Sequence, residues 1–218
     1  PAYLIRVDQL FQRDQRFIRS PMPSPITPRQ IEIISAAGQL ISEDGYARLT
    51  TKRLAERMHF SEAALYRHFS SKEDTLLKML QLLTASVQER MEEVASQEDQ
   101  PDLRLRAMFD SHFTYFKAHP EYLMAIFATN FMEPSPAGDR AIKELMEVMR
   151  QHLRAVIGEG QESGTFNRAI PIDMLVHIVM GTFRLHMLQW RISGRGFDIT
   201  RKGSSLMDAV ITLIGAKR

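Results

Sequence analysis

The chain has 218 residues, and its 28 lysines and arginines nearly balance 26 aspartates and glutamates, which leaves a formal charge of +2. Hydrophobic residues make up 44% of the chain and charged residues 25%, a composition typical of an ordinary globular protein. Cysteine is absent, which excludes a disulfide framework, a thiolate metal site and a cysteine nucleophile. Apolar runs such as those at 175–180 and 211–214 are too short to cross a membrane. These features predict a soluble, cytoplasmic protein with no membrane partner.

Prolines and glycines separate stretches in which apolar residues recur every three or four positions, the spacing of one helical face. No segment alternates with period two for long enough to indicate a sheet, so the sequence predicts an all-α fold. Residues 1–25 are expected to form an N-terminal extension and a proline-rich linker. Residues 26–75 and 76–218 are then predicted to be two helical domains joined by a long helix.

Helix start signals occur along the chain. Thr27-Pro28-Arg29-Gln30 combines a hydroxyl cap, a proline at the first helical position and a glutamine three residues after the cap. Short helices are predicted from Thr50 or Thr51 and from Ser61. The run Ser70-Ser71-Lys72-Glu73 predicts a capping box that opens a long helix. Further helices are predicted at about 102–118, 120–131, 138–160, 171–193 and 201–216.

The two short helices between Thr50 and Lys72 have the size of a helix-turn-helix, whose second helix can enter the DNA major groove. From residue 52 to residue 72 there are five basic and two acidic residues, so this window is basic although the chain is nearly neutral. Arg67 is suited to a bidentate contact with guanine, and Tyr66, His68 and Lys72 are suited to phosphate oxygens. The window therefore indicates DNA binding.

The runs TTKRLA at 50–55 and SEAALYRHFSSKE at 61–73 resemble the DNA-binding signature of the tetracycline-repressor (TetR) family of bacterial transcriptional regulators. The resemblance covers about residues 27–80. It implies that 26–75 is a helix-turn-helix domain, that the protein is a homodimer, and that two such domains read a palindromic operator. The resulting candidate DNA-binding residues are Thr51, Lys52, Arg53, Glu62, Ala63, Ala64, Tyr66, Arg67, His68 and Lys72.

Some positions leave alternatives open. The family usually has glycine in the turn where this chain has His59, and histidine tolerates a left-handed backbone less well than glycine. His68 either packs or meets a phosphate, and Glu62 either accepts a hydrogen bond from cytosine or stabilises the helix start. The structural alternative for the whole region is a capped three-helix unit with a solvated basic face.

Residues 76–218 carry fewer motifs, and the resemblance implies that they bind an effector and dimerise. Methionine and aromatic residues at helical spacing are typical of plain core, but as a group they favour an apolar or amphipathic ligand. Histidines 112 and 177 and Arg184 are the polar groups expected to orient it, with a buried, satisfied histidine as the alternative. The candidate pocket residues are Phe109, His112, Phe113, Phe116, Met149, His177, Met180 and Arg184.

The last two predicted helices, about 171–193 and 201–216, have apolar faces that need a partner. The family packs this pair against its twin as a four-helix bundle, while the core of a monomer would produce the same pattern. The candidate dimer residues are Gly181, Leu185, Leu188, Leu206, Val210, Leu213 and Ile214.

These expectations combine into a ligand-responsive regulator, a repressor located at the bacterial nucleoid and released from its operator by a small apolar or amphipathic effector. The alternative is a DNA-bound factor of the nucleoid or cell-division type that acts mainly through a protein partner. No enzyme is predicted, because the chain has no Gly-x-Ser-x-Gly and no Walker loop. No cofactor and no metal are predicted, since no two histidines stand four residues apart and His177 and His186 fall on opposite helical faces.

Overall fold

A computed structural model describes residues 26–131 and 135–216. The extension and linker predicted for 1–25 therefore lie outside the described residues. In the described ranges the chain is helical and has no strand beyond one isolated antiparallel bridge, between Phe166 and Gly215. The predicted all-α fold is confirmed.

The described helices follow the predicted order closely. The helices predicted to start at about 102 and 138 begin instead at Pro101 and Pro136, because proline is favoured in the first turn of a helix. The helices are α1 (Pro28–Asp44), α2 (Thr51–Arg57), α3 (Glu62–Tyr66), α4 (Lys72–Gln97), α5 (Pro101–Ala118), α6 (Pro120–Phe131), α7 (Pro136–Ser163), α8 (Ile172–Ile192) and α9 (Ile199–Ile214), with a 3-10 helix at Tyr46–Arg48.

The chain divides into two compact units after Lys78. We call the described residues up to Lys78 the N-terminal unit and those from Met79 the C-terminal unit. Helix α4 begins in the first unit and ends in the second.

Side-chain caps set the starts of the helices in the N-terminal unit. The Thr27 backbone N–H donates to Gln30 Oε1 over 2.9 Å and the Gln30 backbone N–H donates to Thr27 Oγ1 over 3.3 Å, so the predicted capping box is confirmed. Thr50 and Ser61 cap α2 and α3 with one hydrogen bond each, which their hydroxyls accept from the backbone N–H groups of Arg53 and Ala64. These short-range contacts determine where the two short helices begin.

The cap predicted for α4 is wrong by one residue. Ser71 Oγ, and not that of Ser70, accepts from a backbone N–H of the first turn, at Asp74 over 3.0 Å. Asp74 in turn accepts from the Ser70 backbone N–H over 2.9 Å. Two adjacent serines offer equivalent caps, and the carboxylate of Asp74 favours the second of them.

The turn between α2 and α3 uses a left-handed residue. His59 has φ 55°, the Phe60 N–H donates to the Ala55 carbonyl over 2.8 Å, and the His59 N–H donates to the Glu56 carbonyl over 3.1 Å. This pair of hydrogen bonds is the Schellman motif, which normally has glycine at the left-handed position. The histidine therefore introduces local backbone strain at this turn.

We expect the substitution His59→Gly to raise the free energy of unfolding of the N-terminal unit by up to about 1 kcal/mol, because it removes the Cβ that opposes the left-handed backbone. Urea unfolding monitored by circular dichroism measures the change. The matched control is His59→Ala, which keeps the Cβ and should not stabilise. Equal stabilities of the two variants would contradict this account of the turn.

Helix α5 runs through the middle of the C-terminal unit, and α9 lies directly against it. A Cβ on Gly203 of α9 would lie 2.5 Å from the ring of Phe113, so glycine permits this close approach. In α7, a Cβ on Gly160 would overlap the ring of Phe166, which is fully buried. Two glycines thus determine how closely aromatic rings pack in this core.

Candidate DNA interface and effector site

Helices α2 and α3 turn their apolar residues inward and leave a polar face outside. Leu54 of α2, Leu65 of α3 and Phe69 are each at most 2% exposed. On the opposite side Tyr66 is 51% exposed, and Arg67 is exposed as well. The other exposed candidates are Lys52, Glu62 and Ala63, whereas Ala64 is half-buried.

Hydrogen bonds connect the polar groups of this face. Thr51 Oγ1 donates to Glu62 Oε2 over 3.2 Å, and the Tyr66 hydroxyl donates to Thr51 Oγ1 over 3.5 Å. The Glu62 carboxylate is therefore held between the two helices, in the first turn of α3. Both functions predicted for Glu62 are compatible with this position.

Two of the arginines in the basic window are bound by the end of α1. Arg53 forms an ion pair with Asp44 and donates to the Arg48 carbonyl over 3.3 Å. Arg57 Nη1 donates to Glu43 over 3.1 Å. The hydrogen bonds from these arginines lower the pKa of the Asp44 and Glu43 carboxyls. Arg53 therefore fastens α2 to α1, a contact that spacing alone does not reveal.

Lys72 and His68 also make contacts within the N-terminal unit. Lys72 Nζ donates to the Tyr46 carbonyl over 2.8 Å and lies 3.9 Å from the centre of the Tyr46 ring. Burial lowers the pKa of this lysine. The His68 ring stacks on Phe60 with 6.5 Å between centroids, so the structure shows its packing role. The phosphate contacts of both residues stay predictions.

In the C-terminal unit the pocket candidates separate by burial. The candidates on α5 and Met149 on α7 are buried, and Met180 is half-buried. His177 and Arg184, predicted to orient the ligand, instead lie on the exposed side of α8. The buried side of α8 carries the residues Leu175, Val176, Val179, His186, Met187 and Trp190.

The buried aromatic residues gather around Phe183 of α8. The centroid of its ring lies 5.2 Å from that of Phe109, 5.5 Å from that of His112 and 5.6 Å from that of Phe113. His186 lies on the far side of Phe113, with 5.6 Å between centroids. We call Phe109, His112, Phe113, Phe183 and His186 the aromatic cluster.

Arg90 of α4 holds the buried His112. Its Nη1 donates to His112 Nδ1 over 3.0 Å and to Ser111 Oγ over 3.1 Å, and its guanidinium lies 4.3 Å from the centre of the Tyr115 ring. Since a guanidinium only donates, Nδ1 must accept, and the proton of a neutral His112 is on Nε2. Burial, and then the charge of Arg90, holds the pKa of His112 well below its usual range.

Exposed apolar side chains form a row along α8, and α9 carries one further exposed leucine. On α8 its members recur at helical spacing along one face. Ile192 is 72% exposed and Leu213 is 80% exposed. We call this set the exposed apolar row: Met174, Ile178, Leu185, Ile192 and Leu213.

The predicted dimer candidates divide between this row and the core. Gly181 and Leu185 are exposed, and Leu188 and Leu206 are half-buried. The prediction is wrong for Val210 and Ile214, which are 5% and 2% exposed and pack in the core of the C-terminal unit. Both lie on the side of α9 that also carries the buried residues Gly203 and Met207.

Both units of the chain match known protein families. Residues 33–79 match the family described as bacterial regulatory proteins, tetR family. Residues 78–214, more than half of the chain, match the family described as YsiA-like protein, C-terminal region. The chain belongs to the TetR family. Regulators of the TetR family bind DNA, so the exposed face of α2 and α3 lies in a DNA-binding unit.

Three relatives of this TetR-family regulator are informative. The fatty acid metabolism regulator protein of Bacillus subtilis (strain 168) is 21% identical over 190 residues, which cover 87% of this chain and 97% of that protein. The nucleoid occlusion factor SlmA of Photobacterium profundum is 29% identical over 134 residues, which cover 61% of this chain and 68% of that protein. The crystal structure of the transcriptional regulator FadR from Bacillus subtilis in complex with stearoyl-CoA is similar with a TM-score of 0.73 and 20% identity, covering 84% of this chain and 98% of that one.

Sequence reasoning missed His186 as a member of the aromatic cluster, and Arg90 as the partner of His112. His186 lies seven residues after Val179, on the buried stripe of α8, and this periodicity could have indicated it. Arg90 gives no such signal, because its partners His112 and Ser111 lie on another helix. Within the described residues no helix is long and apolar enough to span a membrane, and no three acidic or histidine side chains are grouped to hold a metal ion.

Two buried histidines and one half-buried histidine predict a loss of stability in mild acid. Burial lowers the pKa of His112, His152 and His186, so between their folded pKa values and about 6.5 the unfolded chain binds more protons. The free energy of unfolding should therefore be constant above pH 6.5 and fall below it, by about 1.4 kcal/mol per pH unit for each linked proton.

Urea unfolding between pH 5 and 7 measures this dependence. The variant His112→Gln should have a shallower slope than the unmodified protein. The exposed His177 provides the matched control, since His177→Gln removes a histidine from outside the buried cluster. An unchanged slope in His112→Gln would show that His112 does not contribute.

Proposed function

We propose that this TetR-family protein is a transcriptional repressor that binds a palindromic operator as a homodimer and is released by an amphipathic effector with a long apolar part. The observation that carries the proposal is the exposed face of α3. There Tyr66 and Arg67 project from a helix whose Leu65 is buried and whose start is capped by Ser61. A small, rigid helix that presents donors outward is what reading of the major groove requires.

DNA binding is proposed for residues 26–75. The exposed Lys52 and Arg67 are the basic groups proposed to contact bases. Arg53 pairs with Asp44 instead, and its proposed role is to position α2 against α1. The domain as a whole carries no excess of basic residues, and only 52–72 is skewed. We therefore expect few phosphate contacts and a shallow dependence of operator affinity on salt. This function takes place at the bacterial nucleoid and involves no catalytic step.

Dimerisation is proposed for residues in α8 and α9 of the C-terminal unit. The exposed apolar row is contiguous along α8, and large exposed apolar patches are typical of interaction sites. A two-fold axis through α8 would bring the row of one subunit against the same row of the other, which is the isologous arrangement of a homodimer.

We expect Leu185→Glu to weaken dimerisation by tenfold or more, because it places a carboxylate in the centre of the proposed interface. Sedimentation equilibrium measures the dissociation constant. The control is Glu162→Gln, which changes charge at an exposed position of α7 outside the row. An unchanged dissociation constant for Leu185→Glu would contradict the proposed interface.

The effector site is proposed in residues 76–218, around the aromatic cluster. Its apolar part is formed by phenylalanines and methionines, which suit an aliphatic chain. A long-chain acyl thioester is the proposed class, because a similar TetR-type structure contains stearoyl-CoA. No classical cofactor is part of the proposal.

The test is a selection of genomic DNA fragments by the purified protein, followed by footprinting with and without stearoyl-CoA. We expect a footprint over an inverted repeat near a promoter, and its loss when stearoyl-CoA is added. A footprint that persists with stearoyl-CoA bound would overturn the proposed response, and protection without an inverted repeat would overturn the proposed operator.

A second candidate function is a nucleoid factor that acts through a protein partner. It is favoured by the similarity to the nucleoid occlusion factor SlmA, at 29% identity over 134 residues. The same selection distinguishes it, since many scattered chromosomal sites away from promoters would support this candidate and oppose the repressor.

A further inference from the structure

The aromatic cluster contains one buried polar atom without a hydrogen-bond partner among the described residues, and a second ring nitrogen for which no such bond is seen. His112 is 3% exposed and His186 is 6% exposed, so water reaches neither ring freely. His186 Nε2 is buried and has no hydrogen-bond partner among the described residues. The hydrogen bond that His112 makes with a described residue uses Nδ1 and leaves Nε2.

A buried, unpartnered atom such as His186 Nε2 is costly in a folded protein. A buried donor or acceptor without a partner loses the hydrogen bonds it would make with water, at a cost of about 1–3 kcal/mol. The rest of the cluster is phenylalanine, which offers no acceptor at hydrogen-bond strength. An unpartnered polar atom in such a core requires an explanation, and a bound ligand would supply one.

The direction of the His112 donor is fixed from the opposite side of its ring. Arg90 Nη1 donates to Nδ1 over 3.0 Å, and Arg90 is itself positioned by Ser86 Oγ at 3.3 Å and Ser111 Oγ at 3.1 Å. His112 therefore keeps its proton on Nε2, and the centroid of its ring lies 5.5 Å from that of Phe183 and 6.2 Å from that of Phe109. The imidazole is thus a neutral donor with a defined direction.

We propose that His112 Nε2–H is the polar contact of the effector site and donates a hydrogen bond to a carbonyl oxygen of the ligand. This assignment rests on the proposed function and deepens it, because it specifies the chemistry that the site recognises. The apolar chain of the ligand packs on Phe109, Phe113 and Phe183. Arg90 is a positioning residue, since it contacts His112 and keeps the donor on the ligand side.

A hydrogen bond from His112 would favour ligands that have a hydrogen-bond acceptor at this position. A thioester carbonyl accepts from His112, whereas a thioether of the same chain length does not. Stearoyl-CoA and S-octadecyl-CoA differ by this one oxygen in the contact region. One net hydrogen bond corresponds to a preference of about two- to tenfold for the thioester.

Isothermal titration with these two compounds tests the assignment on the full-length protein. The unmodified protein should prefer stearoyl-CoA by that factor. The variant His112→Leu, of similar volume and without a donor, should bind the two compounds equally, and His112→Gln, which keeps an N–H donor, should recover part of the preference. The control His152→Leu removes a half-buried histidine that is already paired with Gln88 at 3.2 Å, and should keep the full preference.

A spectroscopic measurement on the unmodified protein makes the test independent of how the variants fold. In nitrogen-15 NMR of labelled histidine, His112 should have the Nε2–H tautomer, and its Nε2 and proton shifts should move with stearoyl-CoA but not with S-octadecyl-CoA. In Arg90→Met the tautomer signature should become mixed, because the donor to Nδ1 is gone.

The outcomes separate the assignment from the proposed function. Equal binding of both compounds by the unmodified protein, or a preference that persists in His112→Leu, would overturn the role of His112 while leaving an acyl-CoA effector intact. Failure of both compounds to bind would overturn the proposed effector class and this assignment together. Loss of the preference in His112→Leu, with retention in His152→Leu and the expected NMR shifts, would establish the contact.

Discussion

Replacing Arg67 with alanine should weaken operator binding by at least about 30-fold. The side chain is exposed at the end of α3, and the proposed interface places it against base edges. Loss of one such bidentate contact costs about 1–3 kcal/mol, and a homodimer loses it in both half-sites. Fluorescence anisotropy with the selected operator measures the change. The unfolding midpoint should stay the same, because the exposed side chain supports no core.

Two further variants separate DNA reading from structural support. Arg140→Ala removes an exposed arginine from α7, outside the DNA-binding domain, and should leave operator affinity unchanged. Arg53→Ala removes the ion pair with Asp44 and should lower the stability of the N-terminal unit together with DNA binding. Unchanged operator binding by Arg67→Ala would remove Arg67 from the interface.

A second large effect is expected where α7 meets Phe166. Phe166→Ala should destabilise the C-terminal unit by about 3–5 kcal/mol, because it empties a fully buried site. Gly160→Ala should destabilise it by about 1–3 kcal/mol, because the added Cβ overlaps the same ring. The double variant should be more stable than the sum of the two losses predicts, since the alanine side chain at 160 occupies space that the ring has vacated.

Gly158→Ala is the matched control for this cycle. It lies in the same helix two residues earlier, and its Cβ would meet only Ile172 Cδ1, at 3.4 Å. We expect it to be neutral or to stabilise by up to about 1 kcal/mol through helix propensity. Additive losses in the Gly160 and Phe166 double variant, measured by urea unfolding, would contradict the packing described here.

The parts of the fold that sequence predicts are those determined by near neighbours. The capping box at Thr27 and the hydroxyl caps at Thr50 and Ser61 depend on residues three positions away, so local sequence defines them. The turn at His59 is also determined locally, because its hydrogen bonds join residues at most five positions apart. The buried and exposed faces of α2 and α3 lie where the sequence predicts them, because each helix has apolar residues on one side only.

Sequence patterns do not predict contacts between residues that lie far apart along the chain. They also do not show which side of a helix is buried when both sides carry apolar residues. Lys72 contacts Tyr46 from 26 positions away, and Arg90 contacts His112 from 22 positions away. Helix α8 has apolar residues on its buried side and in the exposed apolar row, so periodicity alone does not separate the inward His186 from the outward His177. For the same reason Val210 and Ile214 resemble interface residues although they belong to the core.

The contact of Gly203 with Phe113 has a consequence for the thermodynamics of the whole protein. Phe113 belongs to the aromatic cluster, and α9, which carries Gly203, also carries Leu213 of the exposed apolar row. An effector that shifted Phe113 would act on a helix of the proposed dimer interface, so the two proposals together predict that ligand binding and dimerisation are linked, with reciprocal coupling. By mass action, the apparent affinity for the effector should then change with the concentration of the protein itself.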